Sequence, residues 1–123
     1  MVRPVELFDL SISEKSLSEF YLGIGKIISK KDFILGDDVK KFENRFSNFI
    51  NSQNTLGLNS GTDSLEIALR TLNIGPGDEV IVPSFSFFAS SEVILKVGAQ
   101  PIYCDINLID LTLDLEHLKS IIS

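Results

Sequence analysis

The chain has 123 residues, of which 44% are apolar and 23% are charged, which suits one globular domain and excludes wholesale disorder. Its 11 basic and 17 acidic residues give a net charge of −6, which argues against a nucleic-acid binder because such proteins carry a basic face. One cysteine and one histidine exclude an internal disulfide and a zinc cluster, and no apolar run is long enough for a membrane span. We expect a soluble, cytoplasmic protein.

Two amphipathic helices are predicted in the first third of the chain. In the first, apolar residues recur at every third or fourth position from Leu17 to Ile28. In the second they recur from Val39 to Ile50, and Asp37 or Asp38 suits its N-cap. Both apolar faces must pack against something, either the protein's own core or a subunit interface.

From residue 54 onward, short apolar runs alternate with helical segments. We predict strands at 55–58, 79–82 and 101–104, helices between them, and a last helix that begins near Asp114. Continuous apolar strands that alternate with helices are typical of a parallel sheet covered on both faces. The pattern therefore predicts an α/β fold.

The segment 58–64 is the first candidate ligand site, because it leads from a predicted strand into a helix. Gly61 would let the backbone approach a ligand closely, and Thr62, Asp63 and Ser64 would present free backbone amides at the positive end of the helix. That arrangement can bind an anion such as a phosphate. The competing interpretation is structural, because Ser60 and Asp63 have the spacing of a capping box.

The segment 83–91 is the second candidate, because three phenylalanines lie among four serines after a predicted strand. An aromatic ring there can lie against a planar ligand. Phe85 and Phe88 suit the protein core equally well. Asp105, at the end of the third predicted strand, could meet a ligand or only cap its loop.

Three other reactive residues are predicted to have structural positions. His117 lies on the last helix and is expected at the surface or at a helix end. Cys104 is expected to be buried in its strand. Lys96 has the spacing of the exposed side of its helix and is expected in solvent.

Three segments carry a resemblance to a known family: Asn59-Ser60-Gly61-Thr62-Asp63-Ser64-Leu65, the run from Ile74 to Phe87, and Gly98-Ala99-Gln100-Pro101. Together they resemble the DegT/DnrJ/StrS sugar aminotransferases, and the segment 33–43 looks like the family's N-terminal arm and first long helix. The resemblance implies the N-terminal part of the large domain of fold type I transferases, which depend on pyridoxal phosphate (PLP). We expect the helical arm and first long helix at 1–53 and a partial, truncated large domain at 54–123.

The resemblance also implies which residues bind the cofactor. Ser60, Gly61 and Thr62 match the turn that holds the PLP phosphate through backbone amides and a hydroxyl group. Phe87 matches the aromatic position that stacks on the pyridine ring, where the family also uses Trp or Tyr. The Schiff-base lysine of the family is expected downstream of this chain. We therefore predict no catalytic residue here, no metal site, and no activity for the 123 residues alone.

The function implied by the resemblance is amino-group transfer, commonly from glutamate, to a keto-sugar attached to a nucleotide. Such a reaction serves the biosynthesis of amino sugars and cell-surface polysaccharides. A PLP-dependent sugar dehydratase of the same fold and a non-catalytic fragment remain as alternatives. The parent enzyme is expected to be a homodimer.

Spacing and resemblance predict different sheets. From spacing, three successive strand–helix units would pair side by side. In fold type I enzymes, strands from later in the chain separate the first strand from the next two. We therefore predict that 80–82 and 102–104 are parallel neighbours and that 55–58 does not pair with 80–83.

Overall fold

The computed structural model describes residue 8 and residues 11–122 of the chain. The other residues of the predicted arm, 1–7 and 9–10, lie outside the described part. The chain divides into two compact units, Met1–Gly57 and Leu58–Ser123. The boundary that we predict after residue 53 stays a proposal for the end of the helical arm.

The first unit contains the two predicted helices, α1 at Glu14–Lys30 and α2 at Asp37–Ile50. The N-cap of α2 is Gly36, so the prediction of Asp37 or Asp38 was wrong. The reason is that the carboxylate of Asp32, which lies before the helix, accepts a hydrogen bond from the Asp37 amide at 3.0 Å. It thereby satisfies an amide that an N-cap side chain would otherwise bind. The two aspartates lie in the first turn, where the helix dipole favours them.

The apolar faces of α1 and α2 remain exposed in this chain. Neither helix contains a buried residue, and large side chains such as Phe20, Tyr21 and Phe49 are mostly accessible. Within the described residues these faces are therefore not part of a core, and the protein's own core stays a prediction that this chain does not test. A subunit interface stays a prediction.

The segment 55–58 is not a strand, which corrects the sequence prediction. A strand needs a neighbour for its backbone N–H and C=O groups. Here side chains of α2 provide the contacts instead: Glu43 accepts a hydrogen bond from the Gly57 amide at 2.8 Å, and the Ser47 hydroxyl donates to Thr55 at 2.7 Å.

The second unit has the alternating order that the sequence predicts from residue 59 onward. Its elements are α3 at Gly61–Thr71, β1 at Glu79–Pro83, α4 at Ala89–Lys96, β2 at Gln100–Cys104 and α5 at Leu115–Ile121. β1 and β2 are parallel, in a register that runs from Glu79 opposite Gln100 to Pro83 opposite Cys104. The predicted parallel pairing of these two strands is thereby confirmed, and the side-by-side arrangement of three strands was wrong within the described residues.

A small apolar core joins the strands to α4. It consists of Val82, Ile94, Val97 and Ala99, with partly buried side chains of α3, β1 and the turn between them packed against it. The turn into β2 depends on Gly98, whose φ of +87° favours glycine and whose missing side chain leaves room for Pro76. The core contacts the C-terminal half of α4, and the loop that leads into α4 carries the candidate aromatic residue.

Candidate functional site

The start of α3 has one half of a capping box, the contact of the Ser60 hydroxyl with the Asp63 amide. The Ser60 hydroxyl accepts a hydrogen bond from the Asp63 amide at 3.1 Å and donates one to the Asp63 carboxylate at 2.9 Å. The carbonyl oxygen of Ser60 accepts the Ser64 amide at 3.1 Å. Ser60 therefore satisfies the amides of Asp63 and Ser64, and the prediction that these two amides are free was wrong.

The two amides before them remain available. In the described residues, neither Gly61 nor Thr62 has an acceptor for its backbone N–H. Both amides lie at the positive end of the helix, where anions bind most readily. A methyl group added at Gly61 would meet no protein atom within 4 Å, so space adjoins the backbone at this point.

The loop between β1 and α4 presents aromatic rings to the outside. Phe87 is 79% exposed, and Phe85 and Phe88 are each 69% exposed, so the core interpretation of the last two was wrong. The loop is nonetheless anchored at both ends. The Ser84 amide donates to the Cys104 carbonyl at 2.8 Å, and the Ser90 amide donates to the Phe87 carbonyl at 3.1 Å.

These two segments meet at one open cleft of about 530 Å³, a size common for ligand sites. Three of the four predicted site residues, Gly61, Thr62 and Phe87, line this cleft. The other residues that line it are Leu65, Ala89 and Ser90. Ser60 does not line the cleft and is the N-cap of α3. The cleft is thus lined by two residues with unpaired amides and by an exposed aromatic side chain, which suits a ligand with an anionic group and a planar ring.

A charged cluster connects the helices that form the cleft. The Glu66 carboxylate accepts hydrogen bonds from Arg70 on its own helix, at 2.9 Å, and forms an ion pair with Lys96 on α4. The pKa of Glu66 is lowered, first by the hydrogen bond from Lys96, and the pKa of Lys96 is raised by the same contact. Lys96 is 53% exposed, as the sequence predicts, and its ammonium group is paired with Glu66.

Sequence reasoning missed this contact between helices. The spacing of Glu66 and Arg70 indicates a pair within one helix, because residues four apart lie on one face. Nothing in the spacing links Glu66 to Lys96, which is thirty positions later. Their contact depends on how α3 and α4 pack.

The remaining candidates lie around the end of β2. Cys104 is fully buried, as predicted, and burial raises the pKa of its thiol. His117 accepts a hydrogen bond at Nδ1 from the Asp105 amide at 2.9 Å, so it stabilises the loop between β2 and α5. Within residues 11–122, no three side chains form a metal-binding cluster, and none of the described helices is both long and apolar enough to cross a membrane.

Comparison with known proteins gives one consistent family. The model of the DegT/DnrJ/EryC1/StrS aminotransferase family matches residues 17–123. A UDP-N-acetyl-3-dehydro-alpha-D-glucosamine 3-aminotransferase from Acidithiobacillus ferrooxidans is 46% identical over 89 residues, which are 72% of this chain and 24% of that protein.

Two solved structures have the same fold over most of this chain. DesV of S. venezuelae, determined in complex with a ketimine intermediate, matches with a TM-score of 0.85 and 34% identity over 89% of this chain and 30% of its own. NtdA of Bacillus subtilis, with bound cofactor PMP, matches with a TM-score of 0.86 and 29% identity over 91% of this chain and 26% of its own. The chain therefore spans about a quarter to a third of the length of the proteins it matches.

Proposed function

The chain belongs to the DegT/DnrJ/EryC1/StrS aminotransferase family, and we propose that its cleft holds PLP in an aminotransferase for nucleotide-linked keto-sugars. The observation that carries the proposal is the meeting of Gly61, Thr62 and Phe87 at one cleft. These residues are separated by a helix and a strand in the sequence. The similarity to an aminotransferase of a UDP-linked sugar supports the substrate class.

The residues of the cleft fit a phosphate at the start of α3. The amides of Gly61 and Thr62 would each donate a hydrogen bond to a phosphate oxygen, and the Thr62 hydroxyl could add a third. A hydrogen bond to a charged group contributes roughly 1.5–3 kcal/mol. Gly61 favours this contact because no side chain separates its backbone from the open space.

Phe87 fits the ring of the cofactor. Its side chain is exposed and lines the cleft, while its carbonyl oxygen holds the Ser90 amide and so ties the residue to the first turn of α4. Stacking on a planar ring contributes about 0.5–1.5 kcal/mol beyond simple burial. We propose that Phe87 fixes the tilt of the pyridine ring while the phosphate is held at α3.

Bound PLP would supply an electron sink for amino-group chemistry. The six residues that line the cleft include no lysine. The role we propose for these residues is therefore to bind the cofactor and orient it. We propose that the complete enzyme also binds the sugar and an amino donor, which is glutamate.

A sugar dehydratase would use the same cleft, and analysis of the product separates the two functions. Amino-group transfer yields an amino sugar, whereas dehydration yields a deoxy sugar. Location in the cytoplasm stays a prediction of the sequence.

The proposal is tested by titrating the ¹⁵N-labelled chain with PLP and, separately, with inorganic phosphate. We expect the amide signals of Gly61 and Thr62 to shift with both ligands, and the ring protons of Phe87 to shift with PLP only. Thr62→Ala should weaken PLP binding. Thr71→Ala is the matched control, because Thr71 lies at the far end of α3 with its hydroxyl on the Ile67 carbonyl. Unchanged Gly61 and Thr62 signals at saturating PLP would exclude the cleft as the cofactor site.

We also propose that the enzyme is a homodimer formed through its N-terminal helices. Exposed apolar side chains lie along both, including Phe20 and Leu22 on α1 and Phe42 and Phe49 on α2. Faces of this kind are costly in water and mark interaction surfaces. Sedimentation equilibrium of the enzyme should give the mass of a dimer. The double substitution Phe20→Ser and Phe49→Ser should shift the equilibrium towards the monomer.

A further inference from the structure

The helices α3 and α4 both begin at the cleft, and each carries one partner of an ion pair farther along. Glu66 lies four residues after Thr62, so it occupies the same face of α3 roughly 6 Å along the axis. Lys96 lies seven residues after Ala89, which is two turns along the same face of α4. The Glu66–Lys96 contact and the cleft therefore lie on one seam between the two helices.

Among the ion pairs of the described residues, Lys96–Glu66 is the one that can restrain α3 relative to α4. In the described residues, the other ion pairs (Lys41–Asp38, Arg70–Glu66 and Lys119–Glu116) each lie within one helix, whereas Lys96–Glu66 joins two. No residue of α3 is buried, and Leu65 and Ile67 are almost half exposed. The apolar contact of α3 with the core is made by Leu69, which is only partly buried, so a polar contact to α4 adds to it. Glu66 is 15% exposed, which shields its contacts from solvent better than an open surface pair.

We propose that the Lys96–Glu66 ion pair positions the start of α3 relative to Phe87, so that one ligand can reach both the Gly61–Thr62 amides and the aromatic ring. The inference rests on the proposed function, because PLP is the ligand whose phosphate and ring are joined at a fixed spacing. Lys96 is a positioning residue in this scheme. It acts through α3 and does not contact the cofactor.

Arg70 provides the matched control. It has the same charge as Lys96 and binds the same carboxylate, but it lies on α3 and links nothing to α4. Lys96→Met removes one positive charge and the contact between helices; Arg70→Met removes one positive charge and a contact that lies within α3. Lys96→Arg keeps both the charge and the reach across the seam.

The experiment measures the affinity of the full chain and these three variants for PLP and for inorganic phosphate, with far-UV circular dichroism as the check on folding. A half-exposed ion pair has a small energy, so Lys96→Met should weaken PLP binding about threefold to fivefold. Its affinity for inorganic phosphate, which needs only the α3 end of the cleft, should stay unchanged. Arg70→Met and Lys96→Arg should bind PLP as the unmodified chain does.

The opposite results overturn the inference. Equal loss of PLP affinity in Lys96→Met and Arg70→Met would identify a simple charge effect, and a parallel loss of phosphate affinity would show damage to α3 itself. Unchanged PLP affinity in Lys96→Met, with the unmodified chain binding PLP, would refute the positioning role and leave the proposed function intact. An unmodified chain that binds no PLP would refute the proposed function and this inference with it.

Discussion

Gly61→Ala should separate the stability of the fold from binding at the cleft. Gly61 is the first residue of α3, and its backbone φ is not positive, so alanine can adopt the same conformation. The new methyl group would meet no protein atom within 4 Å. The substitution therefore causes no strain in the folded chain, yet it fills the space through which a phosphate would approach the backbone.

The two expected effects have opposite signs. Replacing glycine by alanine in a compatible conformation stabilises a protein by about 0.4–1 kcal/mol, because the unfolded chain loses conformational freedom. In a domain of this size that raises the melting temperature by about 2–6 °C. Loss of one charge-assisted hydrogen bond to the phosphate costs roughly 1.5–3 kcal/mol, or about tenfold to a hundredfold in PLP affinity.

The assay is thermal unfolding together with PLP titration, and the control is Gly23→Ala. Gly23 lies inside α1, where an added methyl group also meets no protein atom within 4 Å, so alanine should stabilise the helix without touching the cleft. We expect both variants to be at least as stable as the unmodified chain, and only Gly61→Ala to lose PLP binding. Undiminished PLP affinity in Gly61→Ala would refute the argument that the cofactor approaches the backbone here.

Three further predictions concern the ring, the last helix and the lysines. Phe87→Leu should weaken PLP binding about twofold to tenfold with little effect on stability, whereas Phe85→Leu, outside the cleft but similarly exposed, should leave titrations unchanged. Asp114→Ala removes the cap that accepts the amides of Glu116 and His117, so urea denaturation should show a loss of about 1 kcal/mol; no loss would contradict the cap's role. Treating the chain with PLP and borohydride should label no single lysine stoichiometrically, because no lysine lines the cleft; peptide mass spectrometry checks this, and full labelling at one site would contradict it.

Local patterns predicted the elements of the chain well, because helices and buried strands are determined by the spacing of neighbouring residues. The bounds of α1, α2, β1 and β2 agree with the sequence prediction to within a few residues. The segment 55–58 failed because its apolar composition is that of a strand but its partners are side chains of α2. A strand forms only when a second segment pairs with it, and the residue pattern of one segment does not show whether such a partner exists.

Contacts between distant residues were the least predictable part. The Asp32 carboxylate caps α2 from five residues before Asp37, outside the usual capping position. The contact of Lys96 with Glu66 depends on the packing of two helices, and the exposure of Phe85 and Phe88 depends on where the loop turns. In each case the residue type suited two environments, and only the backbone path selected one.

The two interpretations of the turn at Ser60 are compatible with each other. The sequence left a capping box and an anion site as alternatives, because both use a hydroxyl residue at the start of a helix. In the structure, Ser60 satisfies the amides of Asp63 and Ser64 and leaves those of Gly61 and Thr62 without an acceptor. Because the cap holds the first turn in helical geometry, the two remaining amides are fixed at the helix end before any ligand arrives. A cap that took the Gly61 and Thr62 amides would have excluded the anion site that we propose; this cap leaves both amides without an acceptor.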